Sequence, residues 1–170
     1  MEELWKPIEF FPDYSVSTYG RVRNDKLGHI IAQSVNQDGV SHVGIMRDHV
    51  QRRRSVPLLV AKAFIFVPSR GVDEKAFDTP INLDGDRTNN HVDNIQWRPR
   101  WYAIKYNNQF RYSYDVSIDQ PVVDLTTGEV SENSFECGKR YGLLEEEVAS
   151  SILNRTYAWP TYQEFGILEE

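Results

Sequence analysis

Cysteine is almost missing from this 170-residue chain: Cys137 stands alone. That excludes an internal disulfide framework and a Cys-rich zinc site, and a reducing, intracellular setting is the simplest expectation. Long apolar runs are missing too. The longest, VPLLVAKAFIFVP over residues 56–68, contains Lys62 and is too short to cross a bilayer. Residues 1–20 lack a basic start followed by an apolar core, so no membrane or secretory address is expected. Histidine is sparse, with four in all. His29, His42 and His49 fall among turns and strand ends with no carboxylate at metal-ligand spacing, and none is expected to hold a metal. An excess of positive charge is lacking as well: the net charge is −6, which argues against strong non-specific DNA binding, because counterion release requires many cations close to phosphates.

With 40% hydrophobic and 26% charged residues, the composition suits a soluble globular protein. The charge is uneven. Residues 45–70 carry six Lys/Arg against one acid, whereas residues 131–170 carry three against eight. The cluster RDHVQRRR is the clearest welcome for an anionic backbone, although a solvated, positively charged turn has the same appearance.

Three textures follow one another. Early on, YSVSTYGRVRN and VSHVGIMRD alternate in short segments broken at Lys26-Leu27-Gly28 and Gln37-Asp38-Gly39, which predicts a small antiparallel sheet. Tyr14 and Val16 share one face there, and Gly20 makes a turn that delivers Arg21 and Arg23 to one exposed side. In VPLLVAKAFI, helical spacing (Leu59, Ala63; Val60, Phe64) and Pro57 in the first turn predict a helix, which VPSRG then stops. PINLDGDRTNNHVDNIQW follows, dense in turn formers. From about residue 119, QPVVDLTTGEVSENSF reads as a hairpin turning at Thr126-Thr127-Gly128. Two short helices come last: SFECGKRYG, from Ser134 to Gly142, and LLEEEVASSILNR, whose Leu144, Val148, Ala149, Ile152 and Leu153 form one apolar stripe. A helix, a Gly-containing turn and a helix make a candidate helix-turn-helix.

The order of parts is recognisable. LWKPIEFFPDYSVSTYGRVRN resembles the N-terminal modular motif of phage and intron HNH homing endonucleases, through Trp5, Ile8, Tyr14, Val16, Ser17, Gly20, Arg21, Val22 and Arg23. VPLLVAKAFI and PINLDGDRTNNHVDNIQW resemble the nuclease core of that family, through Asp84, Gly85, Asn89, Asn90, Asn94 and Trp97. The C-terminal stretch is similar to the hairpin plus helix-turn-helix module that often ends such enzymes. The resemblance implies an α+β fold: a small N-terminal antiparallel sheet over residues 1–54, a ββα-metal (HNH) motif within 55–112, and a β-hairpin plus helix-turn-helix over 118–170.

In that family a histidine acts as general base, a divalent cation stabilises the leaving 3′ oxygen, and the middle Asn orients the catalytic hairpin. Laid onto this chain, the base position is Asn82, an amide unable to take a proton near neutral pH. The ligand before it is Ile81, the second ligand position falls at Ala103, and the early histidine is Pro57. Ile81 and Ala103 offer no lone pair to a hard cation. Of the chemical set only Asn94 remains, so the resemblance implies a degenerate site with no catalytic residues and no metal or other cofactor.

Two rescues are weighed. A calcium loop starting at Asp84 has Asn89 where the sixth-position Gly is needed and Ile95 in place of the twelfth-position Glu. His91 lies nine residues beyond the base position, and a solvated or capping role suits it better. Trp97 and Trp101, four apart on a possible helix, are expected to pack into the core. In the last helix Glu145, Glu146 and Glu147 suit the macrodipole but would repel phosphate.

The leading expectation is a non-cleaving HNH relative, in the cytoplasm of a cell such as a phage-infected bacterium, touching nucleic acid through Arg21, Arg23, Arg47, Arg52, Arg53 and Arg54. One alternative is a working DNA endonuclease using Mg²⁺ or a similar cation held by unexpected residues. Another is a protein-binding accessory or inhibitor, of viral origin for instance, that meets its partner through the acidic C-terminal surface. DNA and protein partners both stay open; a membrane is not expected.

Overall fold

A computed structural model describes residues 2–67, 76–112 and 116–169. It is a mixed α and β fold whose strands form four small antiparallel sheets. The chain separates into two compact units, residues 1–103 and 104–170.

The first unit opens with a four-stranded sheet in the order β1 (Trp5–Ile8), β2 (Phe11–Ser17), β3 (Val22–Asn24) and β4 (His29–Ile30). Both faces of β2 are covered, so Ser15 and Ser17 are buried beside Tyr14 and Val16. The serines tolerate burial because they are hydrogen-bonded. Ser15 donates to Asp25 at 2.6 Å, and the Ser17 hydroxyl accepts from the amides of Tyr19 and Arg21.

A second sheet joins β5 (Ser34–Val35), β6 (Ser41–Arg47) and β7 (Val50–Ser55). The arginine run, for which a solvated turn was one of two readings, forms a strand: Arg52, Arg53 and Arg54 lie in β7, opposite Ile45, Gly44 and Val43. The turn itself is Asp48-His49, with φ of 51° and 62°. Asp and His are among the side chains that visit this left-handed region most readily, and two such residues match the twist of a tight hairpin.

Helix α1 (Val56–Phe64) starts after Ser55 with Pro57 in its first turn, as expected. The stop expected at VPSRG lies largely outside the described residues; the helix ends at Phe64, with Ile65 in extended backbone. Val56, Leu59, Val60 and Ala61 are buried, and α1 packs against β1, β2, β6, β7, β8 and β9. The last two are β8 (Thr79–Asn82) and β9 (Ile95–Arg98), an antiparallel hairpin followed by α2 (Arg100–Gln109). The two tryptophans expected to pack into the core part company. Trp97 lies in β9, buried, its indole donating to the Ile65 carbonyl at 3.0 Å, while Trp101 on α2 is 55% exposed.

In the second unit, β10 (Val122–Asp124) pairs with β11 (Val130–Ser131) and also with β12 (Phe165–Ile167), which returns from the far end of the segment. Helix α3 (Ser134–Tyr141) is capped by Asn133, whose side chain accepts from the Glu136 amide at 2.8 Å, and it stops at Gly142 with φ 66°. Helix α4 (Glu145–Asn154) follows, with Leu144 as N-cap. Their approach is close: a Cβ on Gly138 would lie 2.9 Å from the Leu143 carbonyl oxygen. The core comprises Val122, Cys137, Leu143, Val148, Ala158 and Phe165, with Ile152 packed at its edge. Leu153, assigned to the apolar stripe from sequence, is 66% exposed, because helix rotation carries it past the buried face. Among the described residues, no helix is long and apolar enough to cross a membrane.

Candidate functional site

The hairpin β8–β9 and the first turn of α2 carry the four positions singled out by the sequence. Asn82 ends β8 opposite Ile95, Ile81 lies opposite Gln96, Asn94 ends the short 3-10 turn Val92–Asn94, and Ala103 sits on α2. Ile81, Asn82 and Ala103 are all buried, at 1%, 3% and 2% exposure.

The twelve-residue connection between the strands is held by side-chain amides. Asn82 Nδ2 donates to the Asn89 carbonyl at 2.8 Å and to Asn90 Oδ1 at 3.3 Å. Asn94 Nδ2 donates to the same Asn89 carbonyl at 2.8 Å and to Asp84 Oδ1 at 2.9 Å, while its own Oδ1 accepts from the Asp84 amide at 3.1 Å. Position 82 and position 94 therefore converge on one carbonyl oxygen. Asp84 also accepts from the Asn89 side chain at 2.7 Å and from the Asp86 amide at 2.9 Å. Its carboxylate is committed to the turn. Asp86 is held below the usual carboxylate range first by the Thr88 hydroxyl and then by the Thr88 amide.

These donors do not fit a hard divalent cation. Isoleucine and alanine offer no oxygen, the Asn82 amide is turned to backbone and Asn90, and no three His, Cys, Asp or Glu converge among the described residues. His91 caps the 3-10 turn, its Nδ1 accepting from the Asp93 amide at 3.3 Å, and its ring lies 5.0 Å from that of Tyr19. Arg87 donates to the Asp38 carbonyl oxygen at 3.0 Å.

Since three hydrogen bonds depend on the Asn94 side chain, two of them to Asp84, Asn94→Ala should destabilise the protein by about 2 kcal/mol. Asn82→Ala should cost about 1–2 kcal/mol. Urea denaturation measures both; an unchanged midpoint for Asn94→Ala would mean the loop is held by other contacts.

The N-terminal motif locks onto this loop. Gly20, at φ 74°, lies so close to Asn90 that a Cβ there would fall 2.7 Å from Asn90 Cβ and 2.8 Å from its carbonyl oxygen. The Val92 amide donates to the Thr18 carbonyl at 2.8 Å. Gly20 was read as delivering two arginines; it also seats the hairpin loop.

The six arginines form two sets. Arg21 and Arg23 lie over the Trp5 ring, with guanidinium carbons 5.8 and 4.4 Å from its centroid. Both are paired: Arg21 with Glu3, and Arg23 with Asp25 at 2.9 Å. Sequence reading missed both carboxylates: Glu3 is eighteen residues from Arg21 and announces nothing until the sheet is assembled, whereas Asp25, two residues from Arg23, was a local signal passed over. Arg47, Arg52, Arg53 and Arg54 belong to the β6–β7 hairpin. By strand alternation Arg52 and Arg54 share a face and Arg53 takes the other. Arg47 contacts Asp48 at 3.4 Å in an exposed pair, while Arg52 and Arg53 have no ion pair among the described residues.

Residues 3–45 match the model of the NUMOD4 motif. Two proteins of Acanthamoeba polyphaga mimivirus, both described as uncharacterized HNH endonucleases, are similar in sequence. One is 30% identical over 97 residues, covering 57% of this chain and 27% of its own length. The other is 27% identical over 157 residues, covering 91% and 35%. The chain thus spans about a third of the length of these relatives. A solved structure described as DNA binding and cleavage by the HNH homing endonuclease I-HmuI matches the fold with a TM-score of 0.53, at 20% identity, over 100% of this chain and 99% of the other. The chain thus carries a NUMOD4 motif, is similar in sequence to two HNH endonucleases and shares the fold of an HNH homing endonuclease.

Proposed function

We infer that this chain contacts DNA through the β6–β7 hairpin and does not cleave it. The observation that carries the second half is the state of position 82: a buried amide, spent on the Asn89 carbonyl and the Asn90 side chain, stands where the related pattern has a histidine base. An amide has no proton-accepting nitrogen near neutral pH. The neighbouring Ile81 and the distal Ala103 give a cation no ligand, so no hydrolytic step is derived through one.

The DNA half is supported by the relatives and by the placement of charge. Residues 1–103 hold fourteen Lys/Arg and thirteen Asp/Glu, a net of +1, while residues 104–170 hold five and twelve, a net of −7. Within the first unit, Arg52 and Arg53 are exposed and form no ion pair among the described residues. In the second, Glu145, Glu146 and Glu147 open α4, where carboxylates repel a phosphate backbone despite the favourable dipole.

Incubation with supercoiled plasmid and Mg²⁺ or Mn²⁺ should give no nicked circles; nicking that disappears in Asn94→Ala would overturn the claim of inactivity. Affinity for duplex DNA should fall as salt rises. Replacing Arg52, Arg53 and Arg54 by Ala should reduce the slope of log K against log salt by up to about 3. No affinity at low salt would remove the DNA reading.

A further inference from the structure

We propose that the cleft between the β1–β2 turn and α1 receives one unpaired nucleotide of a DNA strand, its base on the aromatic and aliphatic floor and its phosphate on the arginine rim. The proposal rests on the DNA reading above and gives it a structural preference. The cleft measures about 590 Å³, within the range of small-ligand sites. Ile8, Phe11, Leu58 and Leu59 line it, together with the cations Arg47, Arg53, Arg54 and Lys62; among the described residues Glu9 is the single acid on its lining. An apolar floor under a cationic rim complements a nucleotide, which joins a flat, weakly polar base to a charged phosphate.

Phe10 also lines the cleft. It is 64% exposed and its φ is 64°, a conformation uncommon and costly for a bulky side chain. Arg47 lies 5.7 Å from its ring centroid, and Arg54 lies 5.1 Å from that of Phe11. Two arginine–aromatic pairs thus line one cleft. Such pairs serve unstacked bases, since every base has a π-face and brings a phosphate with it. In an intact duplex the bases are stacked and paired, so only phosphates would reach the rim. A bulged, nicked or flipped position would fill the floor as well.

The test compares anisotropy titrations of a labelled duplex with the same duplex carrying one extra unpaired adenosine. The bulged DNA should bind about 5- to 50-fold more tightly. In Phe10→Gly that ratio should fall to about one; glycine adopts φ 64° without strain, so thermal melting will show the variant folded. Equal affinities in the unaltered protein, with duplex binding intact, overturn the cleft proposal and leave the hairpin reading standing. No binding of either DNA overturns both. A preference that survives Phe10→Gly overturns the proposal, as does displacement of bulged DNA by dAMP alone at equal concentration, which would make this a free-nucleotide site.

Discussion

Gly20→Ala is expected to lose about 3 kcal/mol of stability and to melt on the order of 15 °C lower, a large part of what a domain of this size possesses. Two costs add. An L side chain at φ 74° is strained by about 1 kcal/mol. The new Cβ also meets Asn90 Cβ at 2.7 Å and Asn90 O at 2.8 Å, and overpacking of this kind costs about 1–3 kcal/mol. The backbone oxygen cannot swing aside, and Asn90 is itself buried and accepts from Asn82. Gly28→Ala separates the two terms: Gly28 has φ 71° with nothing within 4 Å of the added carbon, so it should cost only about 1 kcal/mol. Thermal melts of the two variants decide the matter; a Gly20→Ala protein no worse than Gly28→Ala would mean that Asn90 yields easily.

Asp124→Ala should cost about 3 kcal/mol at neutral pH and should remove part of the acid sensitivity of the second unit. Asp124 is buried, with 1% exposure. Its Oδ1 accepts from the amides of Thr126 at 2.8 Å and Thr127 at 3.3 Å, and its Oδ2 from Gln163 at 2.6 Å. Burial opposes the charge, but the Thr126 amide, Gln163, Tyr141 and the Thr127 amide together outweigh it, and the carboxyl is held below its ordinary range. Because the folded-state pKa is depressed, the stabilisation is complete above the unfolded value of about 3.9 and is lost as pH falls through the lower folded value. Alanine leaves the donors of the turn and of Gln163 unpaired in a dry site, which is the source of the cost. Urea midpoints at pH 7 and pH 3 should therefore differ less for Asp124→Ala than for the unaltered chain. Equal differences would assign the acid sensitivity to other carboxyls.

Helix α1 was legible because its signals are local: Pro57 in the first turn and apolar residues at helical spacing. The same holds for α3, read from Ser134 to Gly142, although the residue that caps it is Asn133. Strand β7 was not legible. Three successive arginines carry no alternation of polarity, and their strand exists only because β6 lies beside it, with Asp48-His49 making the turn. Strand β12 was missed for the same reason, since its partner β10 lies some forty residues away. At the candidate site the residue identities were legible and the geometry was not. The identities of Ile81, Asn82 and Ala103 were plain from the letters, but the exchange of hydrogen bonds among Asn82, Asp84, Asn89, Asn90 and Asn94 depends on how the loop closes. The loop's acids, which advertise a metal site by composition, are turn builders in the fold.

The shared carbonyl of Asn89 also bears on how this hairpin can change. With Asn82 and Asn94 both donating to it, position 82 belongs to the scaffold of the loop. A histidine placed there would withdraw one of the two side-chain amide donors that the Asn89 carbonyl receives, and stability should fall. A polar side chain at 81 or 103 would likewise replace a well-buried apolar one, so single replacements at any of the three positions should each lower stability.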